Sequence, residues 1–314
     1  SLVVPYALSD PSGSATFRLR REGEQKLNPL MLRAVKRLFP EWVFHHRGHE
    51  LLYLPLSIAF VAQIWGMMPQ NPWTIGGGAA SKMAVENNKL RTMYREQGIP
   101  EKKMVVTGKP SVDQIYVRRN SQEQHIIRRE LGISSEQPVL LCAVPHLGEH
   151  GFLPWDRHIQ EMDALIGTLT AQDGLTVVLS LHPKSDPLRY QSIIDRYNPL
   201  VSERRIYDLI PTCDIFLAGF SSTIMHAVGL HKPSIVVDFY GLNFTFYDDA
   251  PGVLVLKDRE QLTPIIRQLR DDKAFYQELV EEQRKYDADW LLLDGNCTNR
   301  VIDLLYQLIN ESVR

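Results

Sequence analysis

Short apolar runs alternate with amphipathic segments from residue 138 onward. The apolar runs lie at residues 139–144, 175–181, 215–218, 234–238 and 253–255. Segments with the helical spacing of apolar residues lie between them at 155–170, 188–196, 206–210 and 223–230, and the chain after residue 255 is predicted to be helical. Strands that alternate with helices predict a parallel, doubly wound sheet, whose ligands bind beyond the carboxyl ends of the strands. The loops that follow the strands are therefore the places to search for chemistry.

The pattern before residue 110 is less regular. Residues 2–6 are typical of the end of a buried strand, residues 81–97 are predicted to form a helix, and residues 104–106 a short strand. The Gly-rich residues 71–78 predict a turn and a flexible connection. Because nothing precedes the first strand to pair with it, we expect this part of the fold to be incomplete.

Three regions follow from this pattern. Residues 1–115 are predicted to form a first lobe, residues 116–270 a Rossmann-like lobe that binds the ligand, and residues 271–314 helices that pack back on the lobes. A charged helix at residues 118–131 is expected to bridge the lobes. A chain of 314 residues is long enough for two lobes, each with its own core. The predicted fold class is α/β, with two Rossmann-like lobes and a cleft between them.

Composition and charge exclude several classes of protein. The formal net charge of −2 provides no basic field that would attract nucleic acid. The cysteines, Cys142, Cys213 and Cys297, are too widely spaced for a metal site or a disulfide framework, and they fit a reducing cytoplasm. No signal peptide is visible, no Asp-x-Asp pair follows a predicted strand, and the cysteines and histidines together form no zinc-site pattern. We therefore expect a cytoplasmic protein that binds its ligand without a metal ion or a cofactor.

The most apolar stretch of the chain is residues 51–68. It is shorter than the roughly 20 apolar residues that a membrane-spanning helix needs, so we predict a buried helix at a lobe interface. An alternative is a surface for peripheral association with the inner face of a membrane, because basic side chains just upstream would be attracted to anionic headgroups. These basic residues are Arg33, Lys36, Arg37, His45, His46 and Arg47.

Two loops that follow strands carry histidines. His146 and Gly148 lie in the stretch Pro-His-Leu-Gly-Glu-His-Gly, where glycine permits close approach of a ligand and imidazole donates to phosphate oxygens. His182, Pro183 and Lys184 follow the next strand, and the proline bars His182 from continuing into a helix. A rigidly held histidine with a lysine two residues on favours recognition of a phosphate and a ribose, although a lone histidine is usually structural.

Hydroxyl side chains mark a third loop. Gly219 shortly precedes Ser221, Ser222 and Thr223 at the predicted start of a helix, where free N–H groups favour an anion. One hydroxyl is enough to cap a helix, so three together predict a phosphate-binding loop, with plain capping as the alternative. Asp238, after the next strand, either lines the same crevice or forms a packing corner. Because these loops share one edge of a doubly wound sheet, we expect them to meet around one nucleotide phosphate.

These motifs resemble those of GT-B glycosyltransferases. His182 with Pro183, and the run Ser221 to Thr223, are similar to the His-Pro and Ser-Ser motifs of bacterial sialyltransferases and polysialyltransferases, Kdo-transferases and CDP-glycerol polymerases. In those families the His-Pro pair contacts the donor's nucleotide and the serines hold its phosphate. The resemblance implies the same roles here, in a GT-B-like fold of two Rossmann-like lobes in which residues 1–115 form the acceptor-side lobe.

A second resemblance is to the hydrolysing UDP-N-acetylglucosamine 2-epimerase. The epimerase has two glutamates in the helix after the serine loop, and one of them grips the uridine ribose, whereas Met225 and His226 stand there in this chain. That difference implies a CMP- or CDP-linked donor rather than a UDP-linked one. The segments that carry the resemblance are Val106–Pro110 with Asp113, residues 146–151 and residues 230–236.

An inverting transferase needs a base that deprotonates the acceptor hydroxyl. The acidic-acidic-Gly motif that supplies this base in the sialyltransferases has no convincing copy here. Asp10 is the best candidate in the first lobe, although its Ser-Asp-Pro-Ser-Gly context is also typical of a turn. Glu149 and His146 are further candidates because they are expected near the donor phosphate. A base upstream of residue 1 is the remaining alternative.

The sequence thus predicts a metal-independent glycosyltransferase of surface-polysaccharide or capsule synthesis. It would transfer a sugar from a nucleotide-sugar donor, CMP-linked by preference, to a glycan or lipid-linked acceptor. A UDP-N-acetylglucosamine 2-epimerase-like enzyme and a non-catalytic nucleotide-sugar-binding protein are the alternatives.

Overall fold

The computed structural model describes residues 2–3, 24, 27–46, 49–52, 54–65, 80–96, 99–242 and 245–312. The chain divides into two compact units, the first comprising Ser1–Pro110 and Asn296–Arg314 and the second Ser111–Gly295. Asp10 and the Gly-rich residues 71–78 lie outside the described residues, so what the sequence predicts for them stays a prediction. None of the described helices is both long and apolar enough to cross a membrane.

The first unit contains a short parallel sheet and an antiparallel hairpin. Its elements in chain order are β1 (Leu2–Val3), α1 (Pro29–Leu38), β2 (Val43–His46), β3 (His49–Leu52), α2 (Leu56–Ile64), β4 (Lys82–Val85), α3 (Asn88–Glu96) and β5 (Met104–Val106). Strand β4 lies between β1 and β5 and is parallel to both, whereas β2 and β3 pair antiparallel. The predicted strands at the start of the chain and at residues 104–106 are thus confirmed within the described residues.

The helix predicted over residues 81–97 is wrong in its first half. Three consecutive apolar residues, Met83–Val85, are almost completely buried in β4, and the helix begins only at Asn88. The Asn87 side chain accepts a hydrogen bond from the backbone N–H of Leu90 at 2.8 Å, which satisfies one free N–H group of the first turn. Lys, Met and Ala are good helix formers, so burial between two strands outweighs local propensity here.

Helix α2, at the centre of the apolar stretch, is exposed and not buried as predicted. Ala59 is 0% exposed and belongs to the cluster of Trp42, Val43 and Leu52. Five larger apolar residues of α2 and its C-cap are exposed by 47% to 72%, and they are Ile58, Phe60, Val61, Ile64 and Trp65. Because only Ala59 and the first residue, Leu56, pack against the cluster, most of the bulky side chains of the helix are left on the surface.

The second unit contains a regular alternation of strands and helices. Its elements are α4 (Val112–Arg118), α5 (Ser121–Glu130), β6 (Val139–Ala143), α6 (Trp155–Thr170), β7 (Thr176–Ser180), α7 (Gln191–Tyr197), β8 (Leu200–Val201), α8 (Ile206–Leu209), β9 (Ile215–Ala218), α9 (Thr223–Gly229), β10 (Ser234–Val237), β11 (Val253–Leu256), α10 (Leu262–Asp271) and α11 (Lys273–Trp290). Single 3-10 turns in the described chain include Pro187–Tyr190, Ile210–Thr212 and Arg259–Gln261. The strands and helices predicted after residue 138 are confirmed to within a few residues.

The strands of the second unit form one parallel sheet in the order β8-β7-β6-β9-β10-β11. This is the order of a doubly wound Rossmann sheet, in which the direction of winding reverses between the first and the fourth strand of the chain. Here the reversal falls between β6 and β9, where Ala143 pairs with Ala218. The α/β class with parallel sheets is confirmed, and the loops after β6 and β9 flank the ligand-binding crevice expected of such a sheet.

Alternate strand residues build the core on one face of this sheet. Leu140, Leu179, Leu217 and Val237 point into it, together with residues of α6, α7 and α10. The intervening residue Phe216 is also completely buried, so the inner strands are covered on both faces, whereas the edge strand β8 is exposed. This double burial explains why the inner strands read as continuous apolar runs in the sequence.

The helices at the two junctions are divided between the two units. The charged helix expected over residues 118–131 is divided into α4 and α5, both in the second unit, where Arg128 donates to Thr212 O at 3.0 Å and to Asp214 Oδ2 at 2.8 Å. The last helix, α12 (Cys297–Ser312), belongs to the first unit, where Arg300 Nε donates to Thr107 O at 2.8 Å. The helices after residue 271 are therefore shared between the two units.

Candidate functional site

The loops after β6 and β9 lie directly against each other. A Cβ atom added to Gly219 would lie 3.2 Å from Cβ of Pro145, which is closer than side chains normally pack. A glycine at the end of β9 thus lets the two loops that flank the reversal point come together. The His146 loop and the Ser221–Thr223 loop are brought to the same edge of the sheet, as predicted from the strand pattern.

Three imidazoles gather at this edge. The rings of His146 and His182 are stacked, with centroids 4.3 Å apart and an interplanar angle of 24°. The ring of His150 lies 4.4 Å from that of His146. The structure therefore brings the predicted histidines of the β6 and β7 loops into contact. It adds His150 of the β6 loop, which is not among the residues predicted for the site.

The stacked histidines are neutral at neutral pH. Burial, followed by the neighbouring rings of His182 and His150, lowers the pKa of His146 to about 4. Burial, with His150 and Lys184 as further causes, also lowers the pKa of His182. The Nδ1 atom of His182 accepts a hydrogen bond from the backbone N–H of Lys184 at 3.1 Å, so its proton is carried on Nε2. His182 thus offers an N–H donor, which is the group that binds an anion.

The same three imidazoles have the spacing of a metal site, but their orientation favours an anion. One nitrogen of each ring lies within 4.8 Å of the others. A metal ion lies in the plane of each imidazole that binds it, and the near-parallel rings of His146 and His182 cannot share one ion without turning. A metal-bound histidine ordinarily donates from its other nitrogen, whereas that nitrogen of His182 accepts.

The hydroxyl loop is ordered by its own hydrogen bonds. Ser221 Oγ lies 2.6 Å from Thr223 Oγ1 and accepts from the Thr223 N–H at 3.3 Å. The Tyr247 hydroxyl donates to Ser221 O at 2.7 Å, which fixes the backbone of the loop. Ser222 occupies the N-cap position of α9 without a side-chain capping bond. Capping alone therefore does not account for the second serine.

The remaining residues predicted for the site differ in their exposure to solvent. Pro183 and Lys184 are exposed. Asp238 is only 3% exposed, which fits the packing-corner alternative better than the crevice. A Cβ atom on Gly148 would lie 2.9 Å from His158 Cδ2 and 3.0 Å from Trp155 Cε3, so the glycine is needed for packing against α6.

Glu149 makes hydrogen bonds within the protein that explain its position. Its Oε1 atom accepts from the hydroxyl of Ser185 and from that of Tyr190, the latter at 2.9 Å. Burial acts to raise the pKa of Glu149, but the hydrogen bonds led by Ser185 outweigh it and the pKa is lowered. A carboxylate with a lowered pKa is a weaker base, so this geometry favours a role other than proton abstraction.

Several solved structures have a similar fold, whereas none of the curated proteins matches the chain. A variant of the wall teichoic acid polymerase TagF with CDPG matches at a TM-score of 0.53 and 19% identity, covering 74% of this chain and 58% of that one. A putative UDP-N-acetylglucosamine 2-epimerase from Listeria monocytogenes matches at a TM-score of 0.53 and 14% identity, and the match covers 73% of this chain and 60% of that one. The UDP-GlcNAc 2-epimerase from Neisseria meningitidis bound to UDP-GlcNAc matches at a TM-score of 0.55 and 17% identity, and the match covers 72% of this chain and 62% of that one.

These likenesses establish the fold that the sequence motifs predict, and the chain spans about three fifths of the length of the solved proteins. The finer resemblance to sialyltransferases and Kdo-transferases stays a prediction. A family match covers residues 80–307, which include every described residue of the site. The chain therefore belongs to the CDP-glycerol:poly(glycerophosphate) glycerophosphotransferase family.

Proposed function

We propose that this protein is a transferase that binds a cytidine-nucleotide donor at the carboxyl edge of the second unit's sheet and passes the activated group to a surface-polymer acceptor. The observation that carries the proposal is the stacked pair His146 and His182, with an N–H donor on His182, beside the reversal point of the sheet. Membership of the glycerophosphotransferase family supports a CDP-linked alcohol as donor. A CMP-linked sugar, the donor preferred from the sequence, would occupy the same site.

Both donors lead to the same leaving group. With a CDP-linked alcohol, the acceptor oxygen attacks the β-phosphorus, the bond from that phosphorus to the bridging oxygen breaks, and CMP leaves with the electron pair. With a CMP-linked sugar, the acceptor attacks the anomeric carbon and CMP leaves in the same way. The proton of the acceptor hydroxyl passes to a base, for which Asp10 is the proposed candidate, because the lowered pKa values of His146 and Glu149 make both of these groups weak bases. N–H donors aimed at the departing phosphate lower the barrier in either case.

We propose that donor binding needs no metal ion. A divalent cation in other nucleotide-dependent transferases neutralises the leaving phosphate. Here the neutral imidazole of His182 and the hydroxyl loop supply hydrogen bonds to it, with Lys184 as a nearby positive charge. The expected result is full turnover after treatment with a chelator.

The experiment that tests the proposal measures CMP release. The protein is incubated with CDP-glycerol, and separately with CMP-linked sugars, in the presence of a glycerol-phosphate oligomer or a lipid-linked saccharide. Acceptor-dependent CMP release supports the proposal, and the donor that supports turnover names the transferred group. Release of free N-acetylmannosamine from UDP-N-acetylglucosamine would replace it with the epimerase alternative. Tight CMP binding without turnover on any acceptor would identify a non-catalytic binding protein.

Removing the two serine hydroxyls is expected to weaken donor binding. In the variant with Ser221→Ala and Ser222→Ala, the dissociation constant of CMP should rise by roughly 10-fold or more, because a hydrogen bond to a charged group is worth about 1.5–3 kcal/mol. Isothermal titration calorimetry measures the change. Ser135→Ala, which removes an exposed hydroxyl elsewhere in the same unit, is the matched control and should bind like the parent protein. Unchanged binding by the double variant would remove the serines from the site.

We further propose that the exposed face of α2 and α1 attaches the protein peripherally to an anionic membrane. Phe60 and Trp65 are exposed by 59% and 72%, and Leu30 and Leu38 on α1 are each exposed by 71%. Both helices pack on the same small cluster. The basic residues of α1, Arg33 and Arg37 among them, supply the charge that anionic headgroups attract.

Replacing Phe60 and Trp65 with serine is expected to reduce binding to phosphatidylglycerol-containing vesicles by roughly 10-fold or more, because each buried large apolar side chain contributes about 1.5–3 kcal/mol. Co-sedimentation with vesicles measures the effect. Leu188→Ser, at an apolar residue 78% exposed in the second unit, is the control and should not change binding. Equal sedimentation of the parent and the Phe60/Trp65 variant would contradict the membrane proposal.

A further inference from the structure

The two loops that carry the stacked histidines are tied together by one carboxylate. Glu149 lies three residues after His146 in the β6 loop, and Ser185 lies three residues after His182 in the β7 loop. Glu149 Oε1 accepts a hydrogen bond from the Ser185 hydroxyl and another, at 2.9 Å, from the hydroxyl of Tyr190. The link thus crosses from one histidine-bearing loop to the other.

A buried histidine extends this link into the core. His158, on α6, is 0% exposed, and its Nε2 atom lies 2.7 Å from the Tyr190 hydroxyl. Since that hydroxyl gives its proton to Glu149, its oxygen accepts from the N–H of His158. Burial lowers the pKa of His158 even though Glu149 acts to raise it, so the ring is neutral. The hydrogen bonds therefore run in one direction, from His158 through Tyr190 to Glu149.

The carboxylate of Glu149 has little contact with solvent. Its side chain is 6% exposed, and a charge so deeply buried is stable only where hydrogen bonds replace its lost hydration. Those bonds come from the β7 loop and from the turn that follows it. The β6 loop is also held from below, because Gly148 is packed tightly on His158 and Trp155. The charge of Glu149 is thus used to hold the loops together.

We infer that Glu149, Ser185, Tyr190 and His158, here called the Glu149 latch, are positioning residues that hold the His146 loop against the His182 loop so that the imidazoles are stacked before the donor arrives. The inference rests on the proposed donor site at these histidines. Groups held in place before binding lose less freedom on binding, so the latch strengthens recognition of the phosphate without touching it.

A double-mutant cycle tests the latch. Tyr190→Phe and Ser185→Ala are combined in one variant, and CMP affinity is measured in the parent, the latch variant, His182→Ala and the combination of both. Because the latch acts through the histidines, its loss should raise the dissociation constant of CMP roughly 10-fold in the parent but by less than about twofold in the His182→Ala background. Additive effects would overturn the inference, since they would show a general structural role.

Two further variants separate positioning from loss of folding. Ser185→Thr retains the hydroxyl, so it is expected to bind CMP like the parent protein, whereas Ser185→Ala is expected to bind CMP more weakly. Tyr197→Phe removes another tyrosine hydroxyl that donates to a carboxylate, Asp163 on α6 at 3.4 Å, and should leave CMP affinity unchanged. A loss of affinity in Tyr197→Phe equal to that in Tyr190→Phe would also overturn the inference.

NMR of the histidine rings distinguishes failure of the latch from failure of the proposed function. In the free protein, the latch variant is expected to shift the ring-proton resonances of His146 and His182, because stacked rings shield each other, while that of the exposed His125 stays fixed. If the parent binds no nucleotide but these shifts occur, the proposed function fails and the positioning role stands. If the resonances do not move, the latch fails whether or not CMP binds.

Discussion

Replacing His182 with alanine is expected to raise the dissociation constant of CMP by roughly 10- to 150-fold, because hydrogen bonds to a charged group are worth about 1.5–3 kcal/mol. The Nε2–H donor of His182 is directed by the Lys184 backbone N–H, which occupies the other ring nitrogen. Alanine removes the donor and also the ring on which His146 stacks. Isothermal titration calorimetry measures the change in affinity.

The melting temperature of the same variant serves as its control. His182 is only partly buried, so its loss should leave the melting temperature close to that of the parent. His125→Ala, at an exposed histidine on α5, should change neither quantity. A large drop in melting temperature for His182→Ala with unchanged CMP affinity would show that the residue is structural.

Replacing Gly252 with alanine is expected to destabilise the protein by about 2–4 kcal/mol, because it combines a strained backbone with a collision. Gly252 has φ of +61°, and a Cβ atom there would lie 2.6 Å from the backbone oxygen of Leu279 and 2.5 Å from Gln283 Cγ. The Gly252 N–H also donates to Glu282 at 2.8 Å, so the turn cannot move away from α11 without losing this bond. Thermal unfolding measures the effect.

Gly174→Ala provides the comparison that isolates the collision. Gly174 has φ of +70° and nothing within 4 Å of an added Cβ atom, so alanine there should cost only about 1–2 kcal/mol of backbone strain. Equal losses of stability in the two variants would contradict the tight packing of α11 on the turn before β11.

The inner strands of the second unit's sheet were predictable because they are buried on both faces, whereas the exposed two-residue edge strand β8 has no such signal. Continuous runs such as Ile215–Ala218 have little other use in a globular protein, and the observed strand has the predicted bounds. The first unit offered weaker signals. Strand β4 has only four residues, in a segment whose composition also suits a helix, and its pairing with β1 and β5 is not visible in local sequence. The exposure of α2 likewise depends on which side chain fits its neighbours.

The chemistry of the site was predictable where it lies directly after strands. The sequence places His146 and His182 at the ends of neighbouring strands, and parallel topology then brings the two rings together. The latch was not predictable in this way. Tyr190 follows Glu149 by 41 residues, and His158 lies within a helix where nothing in the local pattern marks it. Such contacts arise from the packing of α6 against the turn after β7, which a single sequence does not reveal.

The most direct test of the central claim compares CMP with cytidine, which lacks the phosphate, in the parent protein and in His182→Ala by isothermal titration calorimetry. If the histidines hold the nucleotide phosphate, the parent should bind CMP much more tightly than cytidine, and His182→Ala should remove most of that difference while leaving cytidine affinity unchanged. Equal affinity of the parent for CMP and cytidine, or an equal loss for both ligands in His182→Ala, would contradict the account.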